Sequence, residues 1–228
     1  MKKKLSITAF SMLLAAAFIT GCSKDDTTPP VITLSGSSSV DHVLNSTYSD
    51  AGATANDGED GAVTVSTSGS VNKDLVSPYV ITYTATDKAG NTASETRNVR
   101  VYNQGETFAG TYNVIDSIVG TTLVYPYTQV IRVDSAVNNR IRFNKFGDYA
   151  NNTNITATAS GATFDVPFQT GLNIGTGSGC NIADHTFQSV SNSFGTITNG
   201  FRFQYVDAII NGGTCNGSVT VNSNWVRQ

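Results

Sequence analysis

Five acidic side chains in the first half of the chain have the type and setting of cation ligands. Asp50, Asp57, Glu59, Asp60 and Asp87 lie in segments that read as loops between short strands. Hard cations such as Ca²⁺ bind several oxygen ligands, so a calcium site is one interpretation of this set. The other interpretation is that these residues are solvated turn formers. Their spacing differs from that of the regular calcium-binding loop, which favours the second interpretation.

Two cysteines, Cys180 and Cys215, lie in the second half of the chain. In an exported protein they meet an oxidising compartment, where a disulfide is the usual outcome. The bond would close a loop of about 35 residues and stabilise the fold by roughly 3 to 4 kcal/mol in the chain-entropy model. A metal site with His185 is the alternative, but three ligands without a fourth make a poor zinc site. We therefore predict the disulfide.

Enzymatic chemistry requires an acid, a base or a nucleophile in a recognisable setting. The two histidines, His42 and His185, each follow an aspartate, and the sequence has neither a nucleophile elbow nor a zinc-protease His-Glu pair. Paired carboxylates for glycoside hydrolysis remain open in principle, but the acids of the second half are scattered. We predict that the protein is not an enzyme and needs no cofactor.

The N-terminal segment has the anatomy of a lipoprotein export signal. Three lysines, Lys2 to Lys4, precede an apolar run over residues 7–19, and Ile19-Thr20-Gly21-Cys22 has the form of a processing site that ends in the Cys to be acylated. A transmembrane helix is the alternative, but the run is shorter than the roughly 20 residues that span a bilayer. We predict cleavage after residue 21 and a lipid anchor on Cys22.

The residues after the processing site suggest a destination. The order Cys22-Ser23-Lys24-Asp25-Asp26 resembles the sorting tag of Bacteroidota-type surface lipoproteins, in which an acidic pair after the Cys directs the protein to the outer face of the outer membrane. The resemblance implies a lipid-anchored outer-membrane protein that faces the cell exterior. A solvated tether that faces the periplasm is the alternative.

Charge excludes one class of partner. Without Lys2, Lys3 and Lys4 the mature chain has 11 basic residues against 17 acidic ones and a net charge of −6. A negative surface repels phosphates, and no Lys/Arg-rich patch with interleaved aromatic residues occurs, so nucleic acid is not an expected partner.

The first block, residues 27–103, predicts a sandwich of short strands. Turn-forming clusters recur every eight to twelve residues, and helix signals are absent. In its clearest strand, residues 78–86, the alternation places Tyr79, Ile81, Tyr83 and Ala85 on one face, which predicts that this face is buried. The segment 87–91 supplies Gly and Asn for a tight turn back into residues 92–101.

The motifs of this block resemble a bacterial immunoglobulin-like (Ig-like) domain that also occurs in insecticidal crystal proteins and cell-surface proteins. The resemblance implies a seven-stranded antiparallel sandwich that serves as a spacer or adhesive module and carries no catalytic residues. The residues that carry it are Asp26-Thr27-Thr28-Pro29-Pro30-Val31-Ile32-Thr33-Leu34, Tyr48-Ser49-Asp50-Ala51-Gly52-Ala53-Thr54-Ala55, Asp57-Gly58-Glu59-Asp60-Gly61 and Tyr83-Thr84-Ala85-Thr86-Asp87-Lys88-Ala89-Gly90-Asn91.

The second block, residues 105–228, holds most of the phenylalanines and the single Trp, so it has the material for a core of its own. Period-two patterns predict about nine strands and no helix, with a hairpin at Asn199-Gly200. A meander of this kind closes into a barrel or a rolled sandwich, because closure removes exposed strand edges. The predicted strands are 108–115, 127–133, 139–146, 155–159, 163–168, 185–190, 194–198, 201–210 and 219–226. The glycine-rich stretch from Gly171 to Gly179 is interpreted as a loop.

Phe108-Ala109-Gly110-Thr111-Tyr112 and the run from Ile141 to Gly147 resemble the lipocalin-like C-terminal domains of surface lipoproteins. The resemblance implies a small up-and-down barrel and leaves its ligand open. Such a barrel holds one small ligand or is filled by its own side chains, and the many aromatic residues favour the filled interior. The predicted organisation is a signal peptide at 1–21, the acylated Cys and tether at 22–28, the Ig-like sandwich at 29–103 and the barrel at 105–228.

Three functions fit this all-β, two-domain organisation. The first is a non-catalytic binding or adhesive module, in which exposed aromatic side chains stack on a polysaccharide or host glycan. Candidate aromatics are Tyr125, Tyr127, Tyr149 and Trp225, of which the tyrosines lie in turn-like contexts. The second is a carrier of a small apolar ligand inside the barrel, and the third is a structural component of the envelope. The first is our prediction, for a monomer attached to the membrane through Cys22.

Overall fold

The computed structural model describes residues 25–144, 146, 155–174, 183–190, 200–210 and 217–228. Sixteen strands and one short 3₁₀ helix, Gln104–Phe108, account for the regular structure of these residues. The all-β prediction is therefore confirmed. Among the helices of these residues, none combines the length and the apolar character that crossing a membrane requires.

The N-terminal domain is a sandwich of seven strands in two sheets. One sheet has the order β1-β3-β4 and the other the order β2-β7-β6-β5. The strands are β1 (Val31–Leu34), β2 (Ser39–Val43), β3 (Ala53–Asp57), β4 (Gly61–Val63), β5 (Val65–Ser68), β6 (Ser77–Thr86) and β7 (Thr92–Tyr102).

One pairing of this sandwich differs from the fully antiparallel arrangement that the resemblance implies. Strand β2 runs parallel to β7, with Val40 opposite Val99. The two strands are not joined by a hairpin, because most of the domain lies between them in the chain, and a long connection permits the parallel direction.

The alternation predicted for residues 78–86 is confirmed on β6. Ile81, Tyr83 and Ala85 are buried, whereas Tyr79 lies at the margin of the core. Thr86 pairs with Thr92 across the hairpin turn, in which Gly90 has a φ of +97°. Only glycine adopts that left-handed conformation without a steric cost, as the turn residues predict.

A buried cation lies among the side chains of this domain. Arg97, on β7, is 2% exposed and donates hydrogen bonds to the carbonyl oxygens of Ser35 (2.6 Å), Ser37 (3.0 Å) and Gly52 (3.2 Å). Its charge is balanced by Asp50, whose Oδ2 lies 2.6 Å from Arg97 Nη1. The guanidinium also contacts the ring and hydroxyl of Tyr83. Arg97 thereby joins β7 to the segment that follows β1 and to the segment that precedes β3.

The same contacts set the ionisation of Asp50. Burial alone would raise its pKa, but hydrogen bonds from Tyr83, Arg97, the Gly52 amide and Tyr48 outweigh that cost and lower the pKa to about 2. A carboxyl whose pKa is lower in the folded state stabilises the fold above its unfolded pKa of about 4. That contribution is lost as the pH falls through the folded value of about 2.

The C-terminal domain is a nine-stranded antiparallel sheet that rolls into a nearly closed barrel. Its order is β12-β11-β10-β9-β8-β16-β15-β14-β13, so the first and last strands of the domain pair with each other. The strands are β8 (Gly110–Ile118), β9 (Val124–Val133), β10 (Arg140–Phe143), β11 (Thr156–Ser160), β12 (Thr163–Asp165), β13 (Gln169–Ile174), β14 (Ala183–Ser189), β15 (Gly200–Ile210) and β16 (Gly217–Arg227).

The two free ends of the sheet approach each other. The backbone amide of Ser189, at the end of β14, donates to the carbonyl oxygen of Val166, just after β12, over 2.8 Å. The Val166 amide in turn donates to Ser189 Oγ over 3.1 Å. These bonds hold the edge of the sheet at β12 next to the edge at β13 and β14. They take the place of some of the backbone hydrogen bonds that a fully closed barrel would have there.

Several predicted boundaries differ from the structure, and three of the differences have an identifiable physical reason. The predicted strand 163–168 ends at Asp165, because Pro167 has no amide to donate to a ladder. The first part of the predicted loop from Gly171 is strand β13, in which Gly171 pairs with His185. The predicted turn around Pro126 lies within β9, opposite Ile115, and no described residue pairs with Pro126 on the other side, where proline is tolerated. The predicted strand 194–198 lies outside the described residues.

Aromatic side chains fill the described part of the barrel interior. Ring centroids of neighbouring aromatic residues lie between 4.7 and 6.3 Å apart, mostly in edge-to-face or tilted arrangements. This packing agrees with a barrel filled by its own side chains. The buried aromatic residues are Phe108, Tyr112, Phe143, Phe146, Phe164, Phe201, Phe203, Tyr205 and Trp225.

The two domains are joined by more than the chain between them. The loop between β9 and β10, residues 134–139, which we call the junction loop, reaches the N-terminal domain. Asn45 donates from Nδ2 to the Ala136 carbonyl oxygen (3.1 Å) and accepts at Oδ1 from the Asn138 amide (2.9 Å). The Val76 amide donates to the Ser135 carbonyl oxygen over 2.9 Å. The domains therefore contact each other at several fixed points.

Two buried polar residues hold the junction loop in shape. Asn103 donates to the carbonyl oxygens of Asp134 and Val137, both over 2.8 Å, and accepts from the Gly105 and Asn139 amides. Asp134 accepts from the loop's own amides and forms ion pairs with Arg140 and Arg142. Burial alone would raise the pKa of Asp134, but these bonds hold it well below its usual range. The loop is thus preformed for docking.

Replacing Arg97 tests the role of the buried cation. We expect Arg97→Met to destabilise the N-terminal domain by about 3 to 5 kcal/mol, because Asp50 is left without its countercharge. Arg97→Lys should recover part of the loss, since a point charge replaces the guanidinium but not its several bonds. Urea unfolding followed by circular dichroism measures the effect, and Trp225 fluorescence reports the barrel separately.

Arg100→Met on the same strand is the control. Arg100 is half exposed and pairs with Asp41 and Glu106, so its loss should cost at most about 1 kcal/mol. Equal losses for the two methionine variants would contradict the assigned role of Arg97.

Replacing Asn45 tests the contact between the domains. Asn45 has a φ of +65°, so Asn45→Gly removes the side chain without straining the backbone. We expect the domains to reorient more freely, because two hydrogen bonds to the junction loop are lost. Residual dipolar couplings measure this: the two domains should share one alignment tensor in the unmodified protein and differ in the variant. Asn98→Ala, at an exposed site on β7, should leave the shared tensor intact.

Candidate functional site

Four neighbouring strands of the barrel present a polar face to solvent. On β15, β16 and β8 the side chains alternate between the aromatic interior and the outside, so two cross-strand rows form on the outer surface. One row contains Arg202, Asn224 and Ile115, which are register partners. The other contains Gln204, Asn222 and Ser117, and Ser117 pairs onward with Val124 on β9.

These rows line a groove of about 740 Å³, which we call the outer groove. Six of its nine lining residues have polar side chains, while the apolar side chains of Ile115 and Val124 are 49% and 60% exposed. The lining residues are Ile115, Ser117, Val124, Arg202, Phe203, Gln204, Asn222, Ser223 and Asn224.

The polar groups of the outer groove are held in place by one another. Arg202 donates from Nε to Asn224 Oδ1 over 2.9 Å, and Gln204 donates from Nε2 to Asn222 Oδ1 over 2.6 Å. Within the described part of the chain, no hydrogen bond uses the Nδ2 groups of Asn222 and Asn224. Planar amides and a guanidinium in fixed orientations offer donors and acceptors to a ligand rich in hydroxyl groups.

A buried carboxylate lies directly beneath this face. Asp116, on β8, accepts hydrogen bonds at Oδ2 from Tyr127 (3.0 Å) and Tyr205 (2.6 Å) and at Oδ1 from Ser223. Burial and the Asp116 charge raise the pKa of Tyr205 well above its usual value, so its hydroxyl remains a donor. Asp116 thus links β8, β9, β15 and β16, the four strands that carry the outer groove.

The structure places the predicted glycan-stacking residues in different settings. Tyr125, on β9, is 48% exposed and is available at the surface. Tyr127 is half-buried and directs its hydroxyl to Asp116. Trp225 is 1% exposed and stacks on Phe201 inside the barrel, where it presents no face to a ligand. Tyr149 lies outside the described residues.

The residues of the outer groove were missed because the sequence reasoning followed the aromatic side chains. The signal was nevertheless present in the alternation of Phe201-Arg202-Phe203-Gln204-Tyr205, which places Arg202 and Gln204 on one face. The same alternation on β16 places Val221, Ser223 and Trp225 inside the barrel. Asn222 and Asn224 lie on its outer face.

The five predicted calcium ligands are divided among different partners. Asp50 pairs with Arg97, and Asp60 pairs with Lys88 over 3.0 Å. Glu59 is exposed. Asp57 and Asp87 are buried and lie close together, and the structure adds Asp26, which the prediction did not include. These three residues, which we call the acidic cluster, each offer a carboxylate oxygen within 4.8 Å of the others.

The predicted lipid attachment at Cys22 and the predicted disulfide between Cys180 and Cys215 fall outside the described residues. Both remain predictions from the sequence.

Comparison with known proteins identifies the N-terminal domain. Residues 32–101 match the family described as bacterial surface protein, Ig-like domain. This domain is therefore Ig-like, as its motifs predict. No curated protein matches the chain.

One solved structure aligns along most of the chain. It is the crystal structure of the lipoprotein BT2262 from Bacteroides thetaiotaomicron, with 15% sequence identity and a TM-score of 0.34. The alignment covers 87% of this chain and 100% of that chain.

Proposed function

We propose that this chain is a lipid-anchored protein of the outer membrane that faces the cell exterior and binds a polysaccharide or host glycan without catalysing a reaction. In this proposal the Ig-like domain holds the barrel away from the membrane. The barrel carries the ligand in its outer groove. The observation that carries the proposal is the fixed array of Arg202, Gln204, Asn222 and Asn224 on the solvent-facing side of a rigid sheet.

Surface display is supported by the N-terminal segment and by the Ig-like domain that follows it. Residues 1–22 have the sequence anatomy of a lipoprotein export signal, and the acidic pair after Cys22 resembles a surface-sorting tag. The following domain matches a family of bacterial surface proteins. The contacts of Asn45 and Val76 with the junction loop support a fixed presentation of the barrel, because they limit its freedom relative to the Ig-like domain.

Glycan binding is supported by the chemistry of the outer groove. Sugars present many hydroxyl groups, each of which both donates and accepts, and amide side chains provide both functions. Ile115 and Val124 suit the apolar face of a sugar ring, because both are exposed on the outer face of the sheet. A largely apolar lining with a few convergent polar groups is the usual form of a binding site.

Binding without hydrolysis is supported by the same lining. Glycoside hydrolysis uses a pair of carboxyl groups on either side of the scissile bond. The described lining residues of the outer groove include no Asp, Glu or His. The buried Asp116 beneath the sheet is occupied by hydroxyl donors.

An external site is favoured over the alternative of a carrier. A carrier of a small apolar ligand requires space inside the barrel. Phe143, Phe164, Phe201 and Trp225 contact one another across the described interior, so an external ligand fits this packing better.

Glycan arrays test the binding proposal. We expect the soluble chain from Ser23 to Gln228 to bind a defined group of host or dietary glycans. Arg202→Ala and Asn224→Ala should each weaken that binding about tenfold or more, because each removes a polar contact worth roughly 1.5 kcal/mol. Arg132→Ala, which removes the same charge from an exposed site elsewhere on the barrel, should bind normally. Binding that survives both groove substitutions, or no binding to any glycan, would contradict the proposal.

Protease treatment of intact cells tests the display proposal. We expect the full-length lipoprotein to be cut on the surface of intact cells that make it. A known periplasmic protein must stay intact in the same sample. Substituting both Asp25 and Asp26 with Ala should reduce the accessible fraction, because the acidic pair is lost. Full protection while a known surface protein is digested would rule out the outward orientation.

A further inference from the structure

The acidic cluster brings together three segments of the N-terminal domain that are distant in sequence. Asp57 is the last residue of β3, Asp87 follows the end of β6, and Asp26 belongs to the tether four residues after Cys22. Strands β3 and β6 belong to different sheets of the sandwich. The cluster therefore lies where both sheets meet the start of the mature chain.

Three carboxylates so close together repel one another unless a cation lies among them. Within the described residues, none of the three forms an ion pair with Lys or Arg; the neighbouring Lys88 pairs with Asp60 instead. Local hydrogen bonds come from the Thr28 amide to Asp26 and from Asn91 to Asp87. These bonds orient the carboxylates but do not neutralise their charge.

Asp57 provides an independent indication of a ligand. The residue is 3% exposed, and its Oδ1 already accepts from the Glu59 amide (2.8 Å) and the Asp60 amide (2.9 Å). Its Oδ2 is buried and has no hydrogen-bond partner among the described residues. A buried carboxylate oxygen without a partner is costly, so this oxygen requires a ligand.

We infer that Asp26, Asp57 and Asp87 form a calcium site that fastens the lipid-bearing tether to the Ig-like domain. The ligands are all hard oxygens, which select Ca²⁺ over softer metals. Calcium binds oxygens at 2.3 to 2.6 Å, so two ligands on opposite sides of the ion lie about 4.8 Å apart. The carboxylate oxygens of the cluster lie within that separation.

The cation would strengthen contacts that the tether already makes with the Ig-like domain. Asn91 donates from Nδ2 to the Asp26 backbone oxygen over 3.1 Å and to Asp87 Oδ2 over 2.9 Å, so the tether already lies against the turn after β6. A calcium ion would also bind Asp57 and so connect the tether to the sheet that contains β3. The orientation of the Ig-like domain relative to the anchor would then depend on extracellular calcium.

Calorimetric titration of the soluble chain from Ser23 to Gln228 with CaCl₂ tests the site. We expect one ion to bind with a Kd of about 10⁻⁴ to 10⁻³ M, typical of extracellular modules, together with a rise in melting temperature. Asp57→Asn should bind at least tenfold more weakly. Without calcium the variant should melt at the same temperature as the unmodified protein or higher, because repulsion in the cluster is relieved.

Asp60→Asn is the matched control, since it removes a neighbouring acid that pairs with Lys88 outside the cluster. It should bind calcium normally. Absence of binding at 10 mM CaCl₂, or equal binding by Asp57→Asn and the unmodified protein, would overturn the site.

Heteronuclear NOE measurements on the amides of Asp26, Thr27 and Thr28 test the fastening. Their values should rise toward those of the β-strands when calcium is added. Calcium binding that leaves these values unchanged would overturn the proposed role of the tether.

Discussion

The arrangement of the N-terminal domain depends on the burial of one guanidinium group. A buried charge is tolerated only when its hydrogen-bonding capacity is satisfied and its charge is paired. Arg97 meets this condition through three carbonyl oxygens, Asp50 and Tyr83, and these partners come from β6 and from the segments that flank β1 and β3. All the hydrogen bonds of Arg97 form only when every one of these partners is in place. They therefore fix the position of one sheet relative to the other.

The same principle operates at the junction of the domains and under the outer groove. Asn103 and Asp134 use all their oxygens within the junction loop and its neighbours, so the surface that Asn45 contacts is preformed. Asp116 gathers Tyr127, Tyr205 and Ser223 and fixes the four strands that carry the polar rows. Buried polar networks of this kind specify one geometry and exclude others. The barrel thus presents its outer face in a defined direction relative to the Ig-like domain.

Local patterns in the sequence predict the parts of the fold that depend on neighbouring residues. The alternation of β6, β7, β15 and β16 is read directly because each has one buried face. Pairing between distant segments is different: Gly171 and Pro126 disfavour strands locally, yet cross-strand partners place both in strands. The acidic cluster shows the same limit. Asp57 and Asp87 could be proposed as ligands, but Asp26 joins them only through the tertiary fold. Asp50 pairs instead with Arg97, which is distant in sequence, and no local pattern indicates that pairing.

The parallel pairing of β2 with β7 has a mechanical consequence. Strand β2 follows β1 near the N-terminal end of the domain, and β7 is its last strand before the barrel. A pull that separates the two ends of the domain therefore draws β2 and β7 past each other along their length. The backbone bonds between them, over residues 39–43 and 98–102, are then loaded in shear and must yield together rather than one after another. A protein held at one end by lipid and at the other by a bound surface would resist tension at this pair of strands.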